Sequence, residues 1–271
     1  MKPLQSVRHF LLALQFFTRI PITGRLAAWV GFSPQMLRAS AAHFPGIGYL
    51  VAAAACTVVA TLWHLLPAGG HTPLVLAALS TVVTVLLTGG FHEDGMADVA
   101  DGLGGSLDRE RALDIMKVSR IGAFGAMALV LTLLSKLALL TVLGDAGLAP
   151  LLWALLGGHV LSRLLALSLP AVMPHVGDTA RSKSKPLADQ ISRLSLVCAT
   201  LWCLPALAAC AWWQGLAFTA SASLASLLAA AWMVRLFQRR LQGFTGDCQG
   251  ATQQVCEIAF YLGAAIALGQ A

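Results

Sequence analysis

The chain places four carboxylates within nine residues, between Glu93 and Asp101. Seven of its twelve acidic residues lie between Glu93 and Asp114, whereas the chain as a whole is 58% hydrophobic. Carboxylate oxygens are preferred ligands of hard divalent cations, and Mg²⁺ commonly joins one or two carboxylates to substrate phosphates. The cluster therefore predicts a Mg²⁺ site that handles a phosphate-bearing substrate. The alternative interpretation is an acidic, solvated loop with flexible glycine ends.

Helical spacing selects the predicted ligands within this cluster. If the segment is a helix, Asp94, Asp98 and Asp101 follow the i, i+4, i+7 pattern and share one face, within about 60° of arc. Glu93 falls about 100° away from that face and is the weakest candidate ligand of the four. His92 is predicted to be a proton acceptor or a substrate contact, because imidazole titrates near neutral pH. Glycines in and around the motif are expected to permit close approach of a bulky ligand.

The composition predicts an all-α, polytopic integral membrane protein with a single domain over residues 1–271. Charged residues make up 11% of the chain, against about 25% in soluble domains, and several apolar runs approach the roughly 20 residues of a membrane span. An amphipathic interfacial helix at residues 4–20 and a short polar cytoplasmic helix at 108–119 are also predicted. The seven predicted spans are residues 42–66, 73–88, 121–143, 149–169, 194–213, 216–234 and 251–268.

The distribution of lysine and arginine predicts the orientation of these spans. All but two of the eighteen basic residues lie in four regions: the N-terminus, 91–120, 171–193 and 235–250. The turns between these regions carry none, so the positive-inside rule makes all four regions cytoplasmic. Seven spans with the N-terminus inside satisfy every loop, and they put the acidic cluster on the cytoplasmic face. The net charge of +6 therefore indicates topology and a lipid bilayer partner, with no nucleic acid.

Other charged residues on the predicted cytoplasmic face complement the acids. Arg109, Lys117 and Arg120 follow the cluster and are predicted to bind substrate phosphates, with ordinary membrane anchoring as the alternative. The basic run at residues 181–185 has the same two interpretations. Asp247, a lone acid between glycines on a predicted cytoplasmic loop, is predicted to bind substrate through a ribose hydroxyl or to make a second contribution to the metal.

Charged residues also occur inside predicted spans, where an unpaired charge is costly and usually functional. Lys136 and Arg163 are of this kind, and the structural alternative for Lys136 is an ion pair with Glu257. The six cysteines show no CxxC pair and no zinc-type spacing with histidine, which indicates packing roles.

Three segments of the chain resemble those of the cobalamin synthase (adenosylcobinamide-GDP ribazoletransferase) family. They are the opening LLALQFFTRIPI, the central GGFHEDGMADVADGLGG with the following DRERALDIMKVSRIGAFGAMALVL, and the late RRLQGFTGDCQGATQQVCEIAFYL. The central motif is specific, because a histidine, three spaced aspartates and this tail rarely occur together. The resemblance extends over the full length of the chain.

The resemblance implies a reaction and its surroundings. The adenosylcobinamide phosphate of adenosylcobinamide-GDP would pass to α-ribazole or its 5′-phosphate, giving adenosylcobalamin or its 5′-phosphate and GMP, with Mg²⁺ required. Mg²⁺ on Asp94, Asp98 and Asp101 would neutralise the pyrophosphate, and His92 or one of the aspartates would take the proton of the attacking hydroxyl. The bacterial cytoplasmic (inner) membrane is the expected location. Whether the chain forms a homo-oligomer is left open.

Two other functions compete with this one. CDP-alcohol phosphotransferases also carry spaced aspartates at cytoplasmic helix ends, in the pattern DGxxAR followed by GxxxDxxxD. This chain has Asp98 where the arginine of that pattern should stand, and it lacks the second half. A cation-coupled transporter would use intramembrane charges near the bilayer midplane and often internal repeats, whereas the acids here cluster at a loop and no repeat is evident.

Overall fold

The protein is described by a computed structural model that covers residues 3–177 and 191–270. Within these ranges the chain is helical and has no β-strand, as predicted. The basic run at residues 181–185 lies outside the described residues. In chain order the helices are α1 (Pro3–Phe17), α2 (Gly24–Val30), α3 (Pro34–Ser40), a 3₁₀ turn (Ala41–His43), α4 (Phe44–Leu65), α5 (Thr72–Thr88), α6 (Phe91–Gly105), α7 (Arg109–Met116), α8 (Ala123–Asp145), α9 (Leu148–Leu167), α10 (Leu169–Val172), α11 (Arg193–Gln214), α12 (Leu216–Arg240) and α13 (Gly246–Leu268).

Six helical segments of the described residues are long and apolar enough to cross a membrane: α3–α4 taken together, α8, α9, α11, α12 and α13. Helix α5 has only 17 residues, which gives a length of roughly 25 Å, slightly less than the ~30 Å hydrocarbon core. It meets α6 at a bend of 89°, and this pair is a seventh crossing if it is counted as one broken span. The predicted polytopic all-α architecture is thus confirmed, with six or seven helical segments able to span a membrane among the described residues.

Helix α9 lies at the centre of the bundle, and 72% of its most apolar stretch is buried. Gly157 and Gly158 of α9 face the rings of Phe260 and Tyr261 of α13, so that a Cβ on Gly158 would lie 2.5 Å from Tyr261. Small residues at such contacts let two helix backbones approach closely. Helices α8 and α11 are only 22% buried, and their exposed leucines fit a lipid-facing position.

Helix α1 is amphipathic, as predicted, but one of its faces is covered by protein. Leu12, Ala13 and Phe17 are buried in a cluster with residues of α3 and α4, whereas Leu4 is 70% exposed. The helix ends at Phe17, three residues before the predicted end. Because α1 packs against the bundle, its last turn is fixed beside the elements that carry the acidic cluster.

The last span begins earlier than the sequence suggested, which changes the position of Asp247. Helix α13 starts at Gly246, and Asp247 lies in its first turn instead of in a loop. The reason is the side chain of Thr245, which accepts a hydrogen bond from Cys248 N and caps the helix. Helix α12 likewise continues to Arg240, beyond the predicted end at residue 234. The connection between the last two spans is therefore short.

Candidate active site

Helix α6 carries the acidic cluster, and a glycine turn sets its direction. Gly89 and Gly90 have φ angles of +71° and +70°, in the left-handed region that favours glycine. In the first turn of α6, Asp94 N donates to Gly90 O at 2.8 Å. The turn makes α6 leave α5 at 89°, so the cluster lies on a helix that runs across the end of α5 instead of continuing it.

Two of the predicted ligands, Asp94 and Asp98, lie within electrostatic range of Asp247 of α13. Asp94 is exposed, and the other two side chains are half-buried. The negative charges of Asp247, Asp94 and Asp101 all act on Asp98, and that of Asp94 acts on Asp247. Carboxylates held together in this way repel one another, and a divalent cation relieves the repulsion. The donor chemistry therefore fits Mg²⁺, although no three His, Cys, Asp or Glu side chains of the described residues converge tightly enough to hold an ion in their present conformation.

Glycines allow the first turn of α13 to pack directly on α6. A Cβ on Gly95 would lie 2.7 Å from Asp247 O, and one on Gly250 would lie 3.2 Å from His92 O. The hydroxyl of Thr245 donates to Asp247 Oδ2 at 3.2 Å, which helps to orient that carboxylate. The sequence analysis expected the glycines of the motif to admit a bulky ligand. At Gly95 the space is instead filled by the backbone of α13. The close packing is what brings Asp247 to Asp94 and Asp98.

Asp101, the third predicted ligand, holds the start of α8. Its Oδ2 accepts a hydrogen bond from Gly122 N at 2.6 Å, and its Oδ1 accepts one from Gly125 N at 2.8 Å. A carboxylate at a helix N-terminus satisfies N–H groups that have no partner within the helix and interacts favourably with the helix dipole. Because each oxygen keeps a further lone pair, Asp101 stays a predicted ligand, but its observed role is to fasten α8 to α6.

His92 and Glu93 lie on the buried side of α6. Gln254 Nε2 donates to Glu93 Oε1 at 3.0 Å, so Glu93 points away from the carboxylate face, in agreement with the spacing. The ring of His92 stacks on Phe44, with centroids 5.8 Å apart, and is 2% exposed. Positions two apart on a helix differ by about 200°. The structure therefore separates His92 from Asp94, and the proton-acceptor role of His92 stays a prediction.

The predicted substrate-binding cations lie on α7 or just after it. Arg109 Nε donates to Leu241 O at 2.7 Å, which joins α7 to the end of α12. Lys117 Nζ lies 3.2 Å from Asp114 Oδ1 in an exposed pair. Arg120 is exposed and forms no ion pair or hydrogen bond with any side chain of the described residues. Of the three, Arg120 is therefore the most available to an anionic substrate.

Arg19 is a further cation of the site that was not predicted from the sequence. It lines a polar cleft together with Asp94, and its backbone N donates to Leu87 O at 2.7 Å. In the sequence it appears as one polar residue of an amphipathic segment, with the helix-ending Pro21 shortly after it. No local pattern shows that the end of α1 lies beside α6, because the two segments are far apart in the chain.

The family of the chain follows from its similarity to known proteins. The family model for cobalamin-5-phosphate synthase matches residues 9–265. The chain belongs to the cobalamin-5-phosphate synthase family. This match runs from within α1 to within α13 and so includes every element of the candidate site.

Curated relatives agree with the cobalamin-5-phosphate synthase assignment. An adenosylcobinamide-GDP ribazoletransferase of Polaromonas sp. (strain JS666) is 61% identical, with 97% of this chain and 98% of the relative aligned. An enzyme of the same name in Albidiferax ferrireducens is 59% identical, with 97% of this chain and 99% of the relative aligned. The enzyme of this name in Vibrio cholerae is 40% identical, with 93% of this chain and 91% of the relative aligned. No solved structure matches the chain.

Proposed function

We propose that the chain transfers the adenosylcobinamide phosphate of adenosylcobinamide-GDP to a hydroxyl of α-ribazole or of its 5′-phosphate. The bond between the transferred phosphorus and the GMP oxygen breaks, a bond to the acceptor oxygen forms, and GMP leaves. The observation that carries the proposal is the group of Asp94, Asp98 and Asp247 in a member of this family. The products would be adenosylcobalamin or its 5′-phosphate, at the end of cobalamin biosynthesis.

Mg²⁺ is the cofactor that fits this group of carboxylates. Asp94 and Asp98 would hold it from α6, and Asp247 would add an oxygen from α13. Asp101 is the weaker candidate, because both of its oxygens already accept backbone N–H groups. When bound, Mg²⁺ neutralises charge on a pyrophosphate and on the leaving phosphate oxygen. Without it, three neighbouring carboxylates would repel an anionic substrate.

The chain itself supplies the groups that orient the substrate and accept its proton. Asp98 and Asp247 are half-buried, and either carboxylate could take the proton of the attacking hydroxyl if it has an oxygen not engaged with the cation. His92 stays the alternative acceptor. Its Nε2 is buried without a partner among the described residues, so an acceptor hydroxyl would have to enter the narrow cleft beside Phe44 and Phe91 to reach it.

The positive-inside pattern supports a site at the cytoplasmic face of a bacterial inner membrane. The basic residues cluster at the ends of the helices that carry the carboxylates, and nucleotide-linked substrates are cytoplasmic. Arg120 and Lys117 of this face would add positive charge near the diphosphate.

Turnover by the purified protein tests the proposal. In detergent with Mg²⁺, the full chain should form GMP from adenosylcobinamide-GDP and α-ribazole without any membrane gradient, which also separates an enzyme from a transporter. Asp94→Asn and Asp98→Asn should each lower kcat by about 100-fold or more, as the loss of a major electrostatic contribution does.

A matched control is Asp145→Asn, which alters an exposed acid at the far end of α8 and should leave turnover unchanged. Absence of GMP formation by a folded preparation would refute the proposed reaction. Near wild-type activity of both the Asp94 and the Asp98 variants would refute the metal site.

A further inference from the structure

A polar cleft lies between the end of α1 and the turn that joins α5 to α6. Its volume is about 450 Å³, within the range of small-molecule sites. Gln15, Thr18 and Arg19 line one side, and Asp94 lines the other. Phe16 and Phe91 also contribute to its lining. The cleft therefore places a cationic and an anionic side chain of the protein around one space beside the carboxylate cluster.

The position of Arg19 in this cleft is fixed by the backbone. Its amide donates to Leu87 O at 2.7 Å, and its side chain rests on the α carbon of Gly89. A Cβ on Gly89 would overlap Arg19 Nε, and the φ of +71° at that position already favours glycine. The glycine turn thus both redirects α6 and makes room for the arginine side chain.

The guanidinium group of Arg19 has no partner among the described residues. Other arginines of the bundle donate to backbone carbonyls: Arg8 to Val30 O, Arg109 to Leu241 O and Arg240 to Ser106 O. Arg19 makes no such bond, and it forms no ion pair with Asp94 although both line the cleft. Its N–H donors are therefore available to a ligand.

We propose that Arg19 binds a phosphate group of a substrate in this cleft, next to the cation-binding side chain of Asp94. The guanidinium fork matches two phosphate oxygens, and a phosphate between Arg19 and an Asp94-bound cation would be neutralised from both sides. The inference rests on the proposed function for the origin of that phosphate, which is either the pyrophosphate of the donor or the 5′-phosphate of the acceptor. Both sources present the same oxygen chemistry.

Binding of inorganic pyrophosphate to the purified full chain tests the site without turnover. In the presence of Mg²⁺, titration calorimetry should show that Arg19→Gln raises the Kd about tenfold to 100-fold, the range expected for loss of a charge-assisted hydrogen bond. Arg19→Lys keeps the charge without the fork and should fall between the wild type and Arg19→Gln. Arg25→Gln is the matched control, because Arg25 is exposed on neighbouring α2 and does not line the cleft.

The result that overturns the proposal is equal affinity of the wild type and Arg19→Gln, or an equal loss in Arg25→Gln. A wild-type protein that binds no pyrophosphate in the presence of Mg²⁺ would overturn it as well. An unchanged thermal unfolding temperature of Arg19→Lys shows that a weaker Kd is not caused by misfolding. A protein that binds pyrophosphate through Arg19 but forms no GMP would contradict the proposed reaction and leave this site standing.

Kinetics with the two acceptors then identify the phosphate. If Arg19→Gln lowers kcat/KM equally with α-ribazole and with α-ribazole 5′-phosphate, the bound group is the donor pyrophosphate. If the loss occurs only with the phosphorylated acceptor, the bound group is its 5′-phosphate, and Arg19 sets the preference between acceptors. An unchanged kcat/KM with both acceptors would contradict a role for Arg19 in substrate binding.

Discussion

Lys136 Nζ lies 2.6 Å from Glu257 Oε1 in the interior of the bundle, and the two side chains are 2% and 1% exposed. The ion pair joins α8 to α13 and confirms the pairing predicted as the structural alternative for Lys136. The other carboxylate oxygen, Glu257 Oε2, is 2.9 Å from His159 Nδ1 of α9. Glu257 of α13 thus contacts side chains of two other helices, α8 and α9. These polar contacts offset the free-energy cost of burying its carboxylate.

This buried carboxylate is connected to the helix of the candidate site. Gln253 Nε2 donates to Glu257 Oε2 at 2.5 Å, and Gln254 Nε2 donates to Gln253 Oε1 at 2.9 Å. The same amide group of Gln254 reaches Glu93 Oε1 at 3.0 Å. A chain of polar contacts therefore runs from Lys136 in the bundle to α6, and it fixes the rotation of α6 about its own axis. That rotation decides which acids face α13.

Breaking the ion pair should destabilise the protein strongly. Glu257→Leu leaves Lys136 buried without its partner and should cost about 3–5 kcal/mol, visible as a large drop in the unfolding temperature in detergent. The double variant Lys136→Met/Glu257→Leu removes both charges and should recover part of this loss. Lys117→Met, in an exposed pair with Asp114, is the control and should cost at most about 1 kcal/mol. Equal effects of Glu257→Leu and Lys117→Met would show that the pair does not stabilise the fold.

Asp101 should differ from Asp94 in its effect on stability. Asp101→Asn loses one of two hydrogen bonds to the start of α8 and should lower the free energy of unfolding by about 1–3 kcal/mol, even without Mg²⁺. Asp94→Asn removes an exposed charge and should not lower it. Unfolding temperatures with and without Mg²⁺ distinguish the roles, because a bound ion stabilises the folded state. If Asp101→Asn has the unfolding temperature of the wild type without Mg²⁺, and Mg²⁺ does not raise that temperature, then Asp101 is a metal ligand and does not cap α8.

The close contact between α6 and α13 should be sensitive to a single methyl group. Gly95→Ala would place its Cβ 2.7 Å from Asp247 O, and overpacking of this kind costs about 1–3 kcal/mol. Because the shift also moves Asp247 from Asp94 and Asp98, kcat should fall by roughly tenfold or more. Gly69→Ala is the control, since a Cβ at Gly69 meets no atom within 4 Å. A Gly95→Ala protein as stable and active as Gly69→Ala would mean that this contact does not position the site.

Local sequence signals predicted most of the fold and part of the site. The sequence indicates a loop for the acids and makes a helix only the condition of the spacing argument, whereas the structure has Asp94 and Asp98 in helix α6. Helix length and apolar composition depend on neighbouring residues alone, so the spans could be predicted. The first turn of α13 could not, because it depends on the cap at Thr245. A basic, glycine-containing segment such as 235–250 looks like a loop when only its composition is considered.

Contacts between distant segments explain what the sequence did not predict. The spacing put Asp101 on the face of Asp94 and Asp98. The N-terminus of α8 lies against Asp101, however, and both carboxylate oxygens accept hydrogen bonds from its backbone N–H groups. Arg19 comes from an N-terminal helix that the sequence indicated only as amphipathic. In both cases the role of a residue depends on its tertiary neighbour, which periodicity does not identify.

The packing at one end of the bundle bears on the number of membrane crossings. Gly144, at the end of α8, lies so close to Pro73, at the start of α5, that an added Cβ would be 3.0 Å from the proline. At the opposite end of α5, Leu87 O accepts from Arg19 N, and Asp101 caps the start of α8. Helices α5 and α8 therefore run antiparallel along the bundle, which indicates that α5 crosses it despite its short length.

Reporter fusions should show that α5 crosses the membrane. Gly70 lies in the turn between α4 and α5, and Leu107, 89% exposed, follows α6. If α5 is a span, alkaline phosphatase fused after Gly70 is active outside the cytoplasm, whereas green fluorescent protein fused after Leu107 fluoresces inside it. A fusion after Ala271 should also report the outside, because seven crossings with the N-terminus inside end there. If the fusions after Gly70 and Leu107 report the same side, α5 does not cross the membrane and the chain has six crossings. The fusion after Ala271 should then report the cytoplasm.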